Sequence, residues 1–133
     1  AASISWSTTP RRWLAMRSGI GRRRWAQSTG DTRQLESHET MCLLNTGDED
    51  AHIEVMVYFA DREPAGPYHF TVPARRTSHL RFNDFEHPMR IPVDTDFASV
   101  IESDRPIVVQ HTRLDSRQAA LALLSTVAYA DDA

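Results

Sequence analysis

Lysine is missing from this chain, so all fifteen of its basic Lys/Arg positions are arginine, and cysteine occurs once. We attribute the missing lysine to codon usage rather than to function. A single cysteine, Cys42, excludes an intrachain disulfide and a cysteine-based zinc finger, and it suits a reducing, cytoplasmic setting. No apolar run approaches the roughly 20 residues that a membrane-spanning helix needs. Glycine is also scarce, at five residues. The "GIG" of Gly19 to Gly21 has no strand before it and no third glycine after it, so a phosphate-binding loop is not indicated. Asn45-Thr46 is followed by Gly47, which rules out a glycosylation acceptor there.

What is present fits one globular domain. The chain has 133 residues, enough for a sizeable core, and its 41% apolar content is too high for a disordered chain. The net charge of −3 hides an asymmetry. Arginines 11, 12, 17, 22, 23 and 24 precede the first acid, Asp31. An arginine-rich, acid-free start suits nucleic acid, an acidic membrane surface or a transit peptide. The plainer alternative is a translated upstream segment, with Met16 as the native start. We expect residues 1–18 to form a disordered or non-native arm and residues 19–133 to form the domain.

Beyond the arm, short alternating segments are separated by turn residues. In "HIEVMVYFA", Ile53, Val55, Val57 and Phe59 share one face, and His52, Glu54, Met56 and Tyr58 share the other. "NTGDED" and "DREPAGP" bound it. "HETMCLLN" at 38–45 precedes the first turn, which predicts that 38–59 folds as two antiparallel strands joined by a loop. "YHFTV" places Tyr68, Phe70 and Val72 together, and "TSHLRF" does so for Ser78, Leu80 and Phe82. "DFASVIES" and "PIVVQHT" follow at similar spacing. The cadence predicts an all-β sandwich or barrel. The carboxyl segment "SRQAALALLSTVAYA" is ambiguous: propensity slightly favours a helix capped by Ser116, while its alternation suits a strand.

The residues argue against catalysis. The HExxH pattern fails at His38-Glu39, no two histidines sit two to four apart, and no cofactor or metal is expected. "GDED" and "DTD" (94–96) lack the twelve-residue calcium-loop pattern and read as solvated turns. Cys42 lies within an apolar strand, where cysteine acts as a small hydrophobe. Ser116 or Ser125 meeting His111 would lack a nucleophile elbow. What remains is polar density in "IVVQHTRLDSRQ" and a set of arginine–carboxylate combinations. Arg75 and Arg76 are adjacent at a strand entry and should point to opposite faces. Asp84, Asp96 and Asp115 are their candidate partners. Such pairs can fix a loop, a subunit interface or a ligand.

Five stretches together resemble one family: "LNTGDEDAHIEV", "GPYHFTVPARRT", "RFND", "DTDFASVI" and "VVQHTRLDSRQA". They are similar to the sensory rhodopsin transducer family over about residues 19–130. The resemblance implies a single-domain β-sandwich of about eight to ten mostly antiparallel strands, and a strand in the carboxyl segment. It implies a non-enzymatic homotetramer that relays a signal from a seven-helix membrane photoreceptor on its cytoplasmic face. The fold's likeness to carbohydrate-binding folds implies an alternative, a free-standing binder of a sugar-like small molecule. Nucleic-acid binding through the amino-terminal arginines is a further alternative. A ligand site would draw on Trp25, Tyr68, Gln110, His111 and Arg113. Structural or interface pairing would draw on Arg75, Arg76, Asp84, Asp96, Asp115 and Arg117. The segment "RRRWAQSTGDTRQLESHET" is shorter than the family's Gly/Pro-rich loop, and the first fifteen residues have no expected family counterpart.

Overall fold

The computed structural model describes residues 11–17, 38–92, 95–115 and 122–131, with 11–17, 115, 122–124 and 129–131 described by backbone alone. Nine strands run in chain order: β1 Arg11–Arg17, β2 His38–Asn45, β3 Ala51–Phe59, β4 Ala65–Val72, β5 Arg76–Arg81, β6 Phe97–Ser103, β7 Val108–Asp115, β8 Ala122–Val127 and β9 Tyr129–Asp131. They form a five-stranded sheet in the order β4-β3-β6-β1-β9 and a four-stranded sheet in the order β5-β2-β7-β8. Every pairing is antiparallel. The expected β-sandwich is what the chain forms. Among the described residues the only helical element is one 3-10 turn, Phe82–Asp84, and no helix is long and apolar enough to cross a membrane.

Period-two alternation builds the core. Ala51, Ile53, Val55 and Val57 of β3 are buried together with Tyr68 and Val72 of β4 and Ile101 of β6, all from the five-stranded sheet. Met41 and Leu43 of β2 and Val109 of β7 join them from the four-stranded sheet. Burying each large aliphatic side chain contributes about 1.5–3 kcal/mol. The described part of the carboxyl segment is strand, as the resemblance implied, because β8 gains a ladder against β7 that outweighs its weak helical propensity; residues 116–121 lie outside the described residues.

Two expectations fail. β2 and β3 do not form a hairpin. β2 pairs with β5 and β7, while β3 pairs with β4 and β6, so residues 46–50 carry the chain from one sheet to the other. Asn45, buried to 1% exposure, fixes that crossing. Its amide donates to the carbonyls of Glu49 (2.8 Å), Val72 (3.0 Å) and Pro73 (3.3 Å), and its Oδ1 accepts the Gly47 N–H at 2.9 Å. These bonds tie the end of β2 to the end of β4 across the sandwich.

The second failure concerns the arm. Residues 11–17 are a strand lying between β6 and β9, in register from Arg11 opposite Ser103 to Arg17 opposite Phe97. The flanking arginines mask its short apolar centre "WLAM", and its ladder partner lies some eighty residues away, where no local pattern reveals it. Residues 1–10 and 18 lie outside the described residues.

One glycine is dictated by geometry. Gly66 has φ +130°, and a Cβ there would stand 2.8 Å from the Val55 carbonyl oxygen, at the irregularity in register between Val55 and Val57. Only glycine tolerates that approach.

Candidate functional site

β7 occupies an interior position in the four-stranded sheet, so its side chains alternate between the core and the outer face. Val109 and His111 point inward and are buried, with Arg113 half-buried on the same side, while Gln110 is exposed on the other. The polar run of β7 therefore splits. Gln110 does not share a pocket with His111 and Arg113, because neighbouring strand residues face opposite ways.

Across the ladder, Glu39 of β2 is the register partner of Arg113, and Met41 is that of His111. Glu39 is 4% exposed and His111 is 7% exposed. His111 Nε2 lies 2.7 Å from Glu39 Oε2, a charge-assisted bond in which the ring N–H donates to the carboxylate. Arg113 Nε lies 3.9 Å from Glu39 Oε1. A carboxylate, an imidazole and a guanidinium thus meet on the inner face of the sheet. The edge of His111 meets Phe82 at 6.4 Å between ring centres.

Phe82 connects this cluster to another predicted residue. Phe82 and Phe85 meet as tilted rings at 5.0 Å between centres, and Phe85 and Tyr68 likewise at 4.9 Å. Tyr68 is itself buried, and its hydroxyl donates to the Met89 carbonyl at 2.7 Å. Burial pushes the Tyr68 phenol above its ordinary range. Tyr68 and His111 are therefore linked through Phe85 and Phe82, while Arg113 meets the cluster through Glu39. Trp25 lies outside the described residues.

The predicted pairing residues divide differently. Arg75 sits at a turn tip with φ 53°, its N–H donating to Gly47 at 3.1 Å and its Nε 3.7 Å from Asp48 Oδ1. Its partner is thus Asp48, not one of the three aspartates proposed from the sequence. The adjacent Asp50 Oδ1 accepts the Ala74 N–H at 2.9 Å, so "GDED" and "PARR" are two turns laced together. Arg76 is exposed and donates to the Arg75 carbonyl at 2.9 Å. Asp84 closes the 3-10 turn and is exposed, as is Asp96 just before β6. Asp115 ends β7, and its register partner is Ala122. Arg117 and Ser116 lie outside the described residues. Ser125 bonds Thr112 Oγ1 at 3.0 Å on the exposed side, away from His111.

Of the buried polar residues that escaped sequence reasoning, Glu39 and Asn45 make the most consequential contacts. The signal was there. In "HETMCLLN" the face that carries Met41 and Leu43 also carries Glu39 and Asn45, which places a carboxylate and an amide on an apolar face. Such groups are buried only with partners. Among the described residues, no group of His, Cys, Asp and Glu is placed to hold a metal ion. Outside the core, Asp104 and His52 exchange contacts. The His52 N–H donates to Asp104 Oδ1 at 2.7 Å, and its ring Nδ1 lies 2.9 Å from Oδ2. Partial burial would raise the Asp104 carboxyl, but the two His52 bonds and nearby Arg105 outweigh it and hold the carboxyl below its ordinary 3.8.

Comparison with known proteins gives a consistent result. The family profile described as Anabaena sensory rhodopsin transducer matches residues 11–130, so the match takes in β1 and begins well before residue 19. The solved structure of the Anabaena sensory rhodopsin transducer is 53% identical, with a TM-score of 0.63, covering 76% of this chain and 94% of that one. The crystal structure of Thermotoga maritima 1070 is 29% identical, with a TM-score of 0.73, covering 90% of this chain and 92% of that one. No curated protein sequence matches the chain.

Proposed function

The chain belongs to the Anabaena sensory rhodopsin transducer family, and on that premise we propose that it is a non-enzymatic signal transducer. In this reading it works in the cytoplasm as a homotetramer and relays the state of a seven-helix membrane photoreceptor, or of a related receptor. The observation that carries the reading is the 53% identity over 94% of the Anabaena sensory rhodopsin transducer. The geometry agrees with a role in binding rather than in chemistry. The polar cluster of Glu39, His111 and Arg113 is turned into the sandwich, and its groups are committed to one another across two strands.

The sugar-binding alternative needs aromatic faces beside planar polar groups. Tyr68 is buried with its hydroxyl engaged, and Gln110 faces away from His111, so the described residues do not favour it. A free basic arm for nucleic acid is not favoured either, since Arg12 stands in register with Glu102 and Asp131 inside a sheet.

Transduction requires different affinities for two receptor states. The test is titration of the protein against a sensory rhodopsin in lipid nanodiscs, in the dark and under illumination. The expected result is a change in Kd of about fivefold or more between the two states, the lower bound of ordinary allosteric coupling. Equal affinity in both states, or no binding in either, refutes the proposal.

A further inference from the structure

Three crossings between the sheets gather at one end of the sandwich: residues 46–50 from β2 to β3, 73–75 from β4 to β5, and 104–107 from β6 to β7. They share this end because Asn45 stands opposite Arg76, Ala51 opposite Val72, and Leu44 opposite Val108. Bonds lace the three together. The Arg75 N–H donates to the Gly47 carbonyl, Asp50 accepts the Ala74 N–H, and Arg105 pairs with Glu49. Asp104 ties the third crossing to His52. The backbone of this end is pinned, while its charged side chains face water.

Arg75 departs from what such a turn needs. Its φ of 53° lies in the left-handed region, and it is the only non-glycine residue with a positive φ among the described residues. A Cβ is disfavoured there, and glycine or asparagine takes that conformation at less cost. Stability does not account for arginine at this position. Its side chain is 75% exposed, its Asp48 partner is 89% exposed, and the two stand 3.7 Å apart. An ion pair as open as that contributes little. The bond to Gly47 comes from the Arg75 backbone, so glycine would keep it. What only arginine supplies is a planar guanidinium held out from the pinned turn. Backbone strain retained in this way is concentrated where a ligand or partner is met.

The neighbouring charges select the partner. Arg76 is exposed and donates to the Arg75 carbonyl, which keeps a second guanidinium beside the first. Arg75 meets Asp48 and Arg105 meets the adjacent Glu49, so carboxylates are interspersed with the cations. Those carboxylates repel a polyphosphate chain. A polypeptide that sets a carboxylate among basic residues meets the opposite sign at each position. The cytoplasmic segments of a membrane receptor are rich in Lys and Arg, which supplies the basic groups for Asp48 and Glu49.

We infer that this end of the sandwich docks a cytoplasmic receptor segment, with Arg75 and Arg76 gripping a carboxylate of that segment and Asp48 and Glu49 meeting its basic residues. The inference rests on the transducer reading above and gives it a docking surface.

The test titrates the full-length protein against a sensory rhodopsin in lipid nanodiscs and measures the melting temperature of each chain alone. Arg75→Gly removes the guanidinium and relieves the backbone. We expect its Tm to lie within about 3 °C of the wild type or above it. Its Kd should weaken by about tenfold or more. Arg75→Glu should bind more weakly than Arg75→Gly, because it opposes the receptor carboxylate. Arg62→Ala, in the loop after β3 at the opposite end, is the control and should bind within about twofold of the wild type. Wild-type affinity should itself fall as salt rises from about 50 to about 500 mM, a readout that needs no substitution. A wild type that does not bind refutes the transducer reading and this inference with it. A wild type that binds, with Arg75→Gly within about twofold of it, overturns the docking surface and leaves the transducer reading standing. Arg75→Glu binding no worse than Arg75→Gly, or an affinity indifferent to salt, does the same. An Arg75→Gly chain that melts more than about 5 °C below the wild type makes Arg75 a structural residue and also overturns the inference. So does a loss of affinity for a mixed-sequence DNA duplex without a loss for the receptor, which assigns the surface to phosphates.

Discussion

Replacing Glu39 with Gln keeps the shape of the side chain and removes its charge from the buried cluster. In the native chain the carboxylate meets His111 at 2.7 Å and Arg113 at 3.9 Å, with Glu39 and Arg113 side chains 5% and 20% exposed. A hydrogen bond to a charged group contributes about 1.5–3 kcal/mol. The arginine contact at this distance corresponds to about 4 kcal/mol at an effective dielectric of 20, of which desolvation consumes a large part. Breaking a buried pair typically costs about 3–5 kcal/mol. We expect Glu39→Gln to lose about 3 kcal/mol, or roughly 10 °C in Tm for a domain of this size. Arg113→Ala alone should lose about 2 kcal/mol, given its partial exposure. In the Glu39→Gln background the same change should cost no more than about 0.5 kcal/mol, since its partner charge is gone. Urea unfolding followed by circular dichroism, at one fixed protein concentration, reads all four chains of the cycle. Additive losses, or a Glu39→Gln chain within about 0.5 kcal/mol of the wild type, would refute the assignment of these residues as a coupled cluster.

Asn45→Ala strips the donors from three carbonyls at the sheet crossing, and at about 1 kcal/mol for each lost bond it should destabilise the chain by about 3 kcal/mol. Denaturant titration with an unchanged m-value checks it. A chain shortened to begin at Met16 removes most of β1 and leaves its ladder positions on β6 open, so it should melt well below the full chain; equal melting temperatures would show that β1 adds nothing. Asp104 has a lowered pKa when folded, so its stabilising contribution is complete above the unfolded value near 3.8 and is lost as pH falls through the lower folded value. Its side chain is 47% exposed and that of His52 is 69% exposed, so the effect is small, under about 1 kcal/mol. Asp104→Asn should accordingly flatten stability below pH 3.8, which acid titration of Tm in both chains will read.

How far the chain could be understood without its structure depends on the range of each interaction. Alternation is local: Ile53, Val55 and Val57 declare a buried face within five residues, and β3 carries that face into the core. The turns "NTGDED" and "DREPAGP" declare themselves through residues that adopt turn backbone at little cost. The motifs of residues 44 to 119 are also specific enough to identify the family. Which strands become neighbours is not local. β2 and β3 are joined by a short turn, as a hairpin is, yet the fold assigns them to different sheets. What decides this is the three-way grip of Asn45 on residues 4, 27 and 28 positions away, a geometry that exists only once β4 has arrived. β1 looked like an arm because arginines carry no pattern of burial, and only β6, far along the chain, makes it a strand. The candidate site has the same origin. His111 and Arg113 drew notice as polar residues in an apolar run, but their partner Glu39 lies 72 residues from His111. A carboxylate on an apolar face shows from sequence that some partner must exist; only the pairing of β2 with β7 decides which one, because burial is set by side-chain period while partnership is set by register between distant strands.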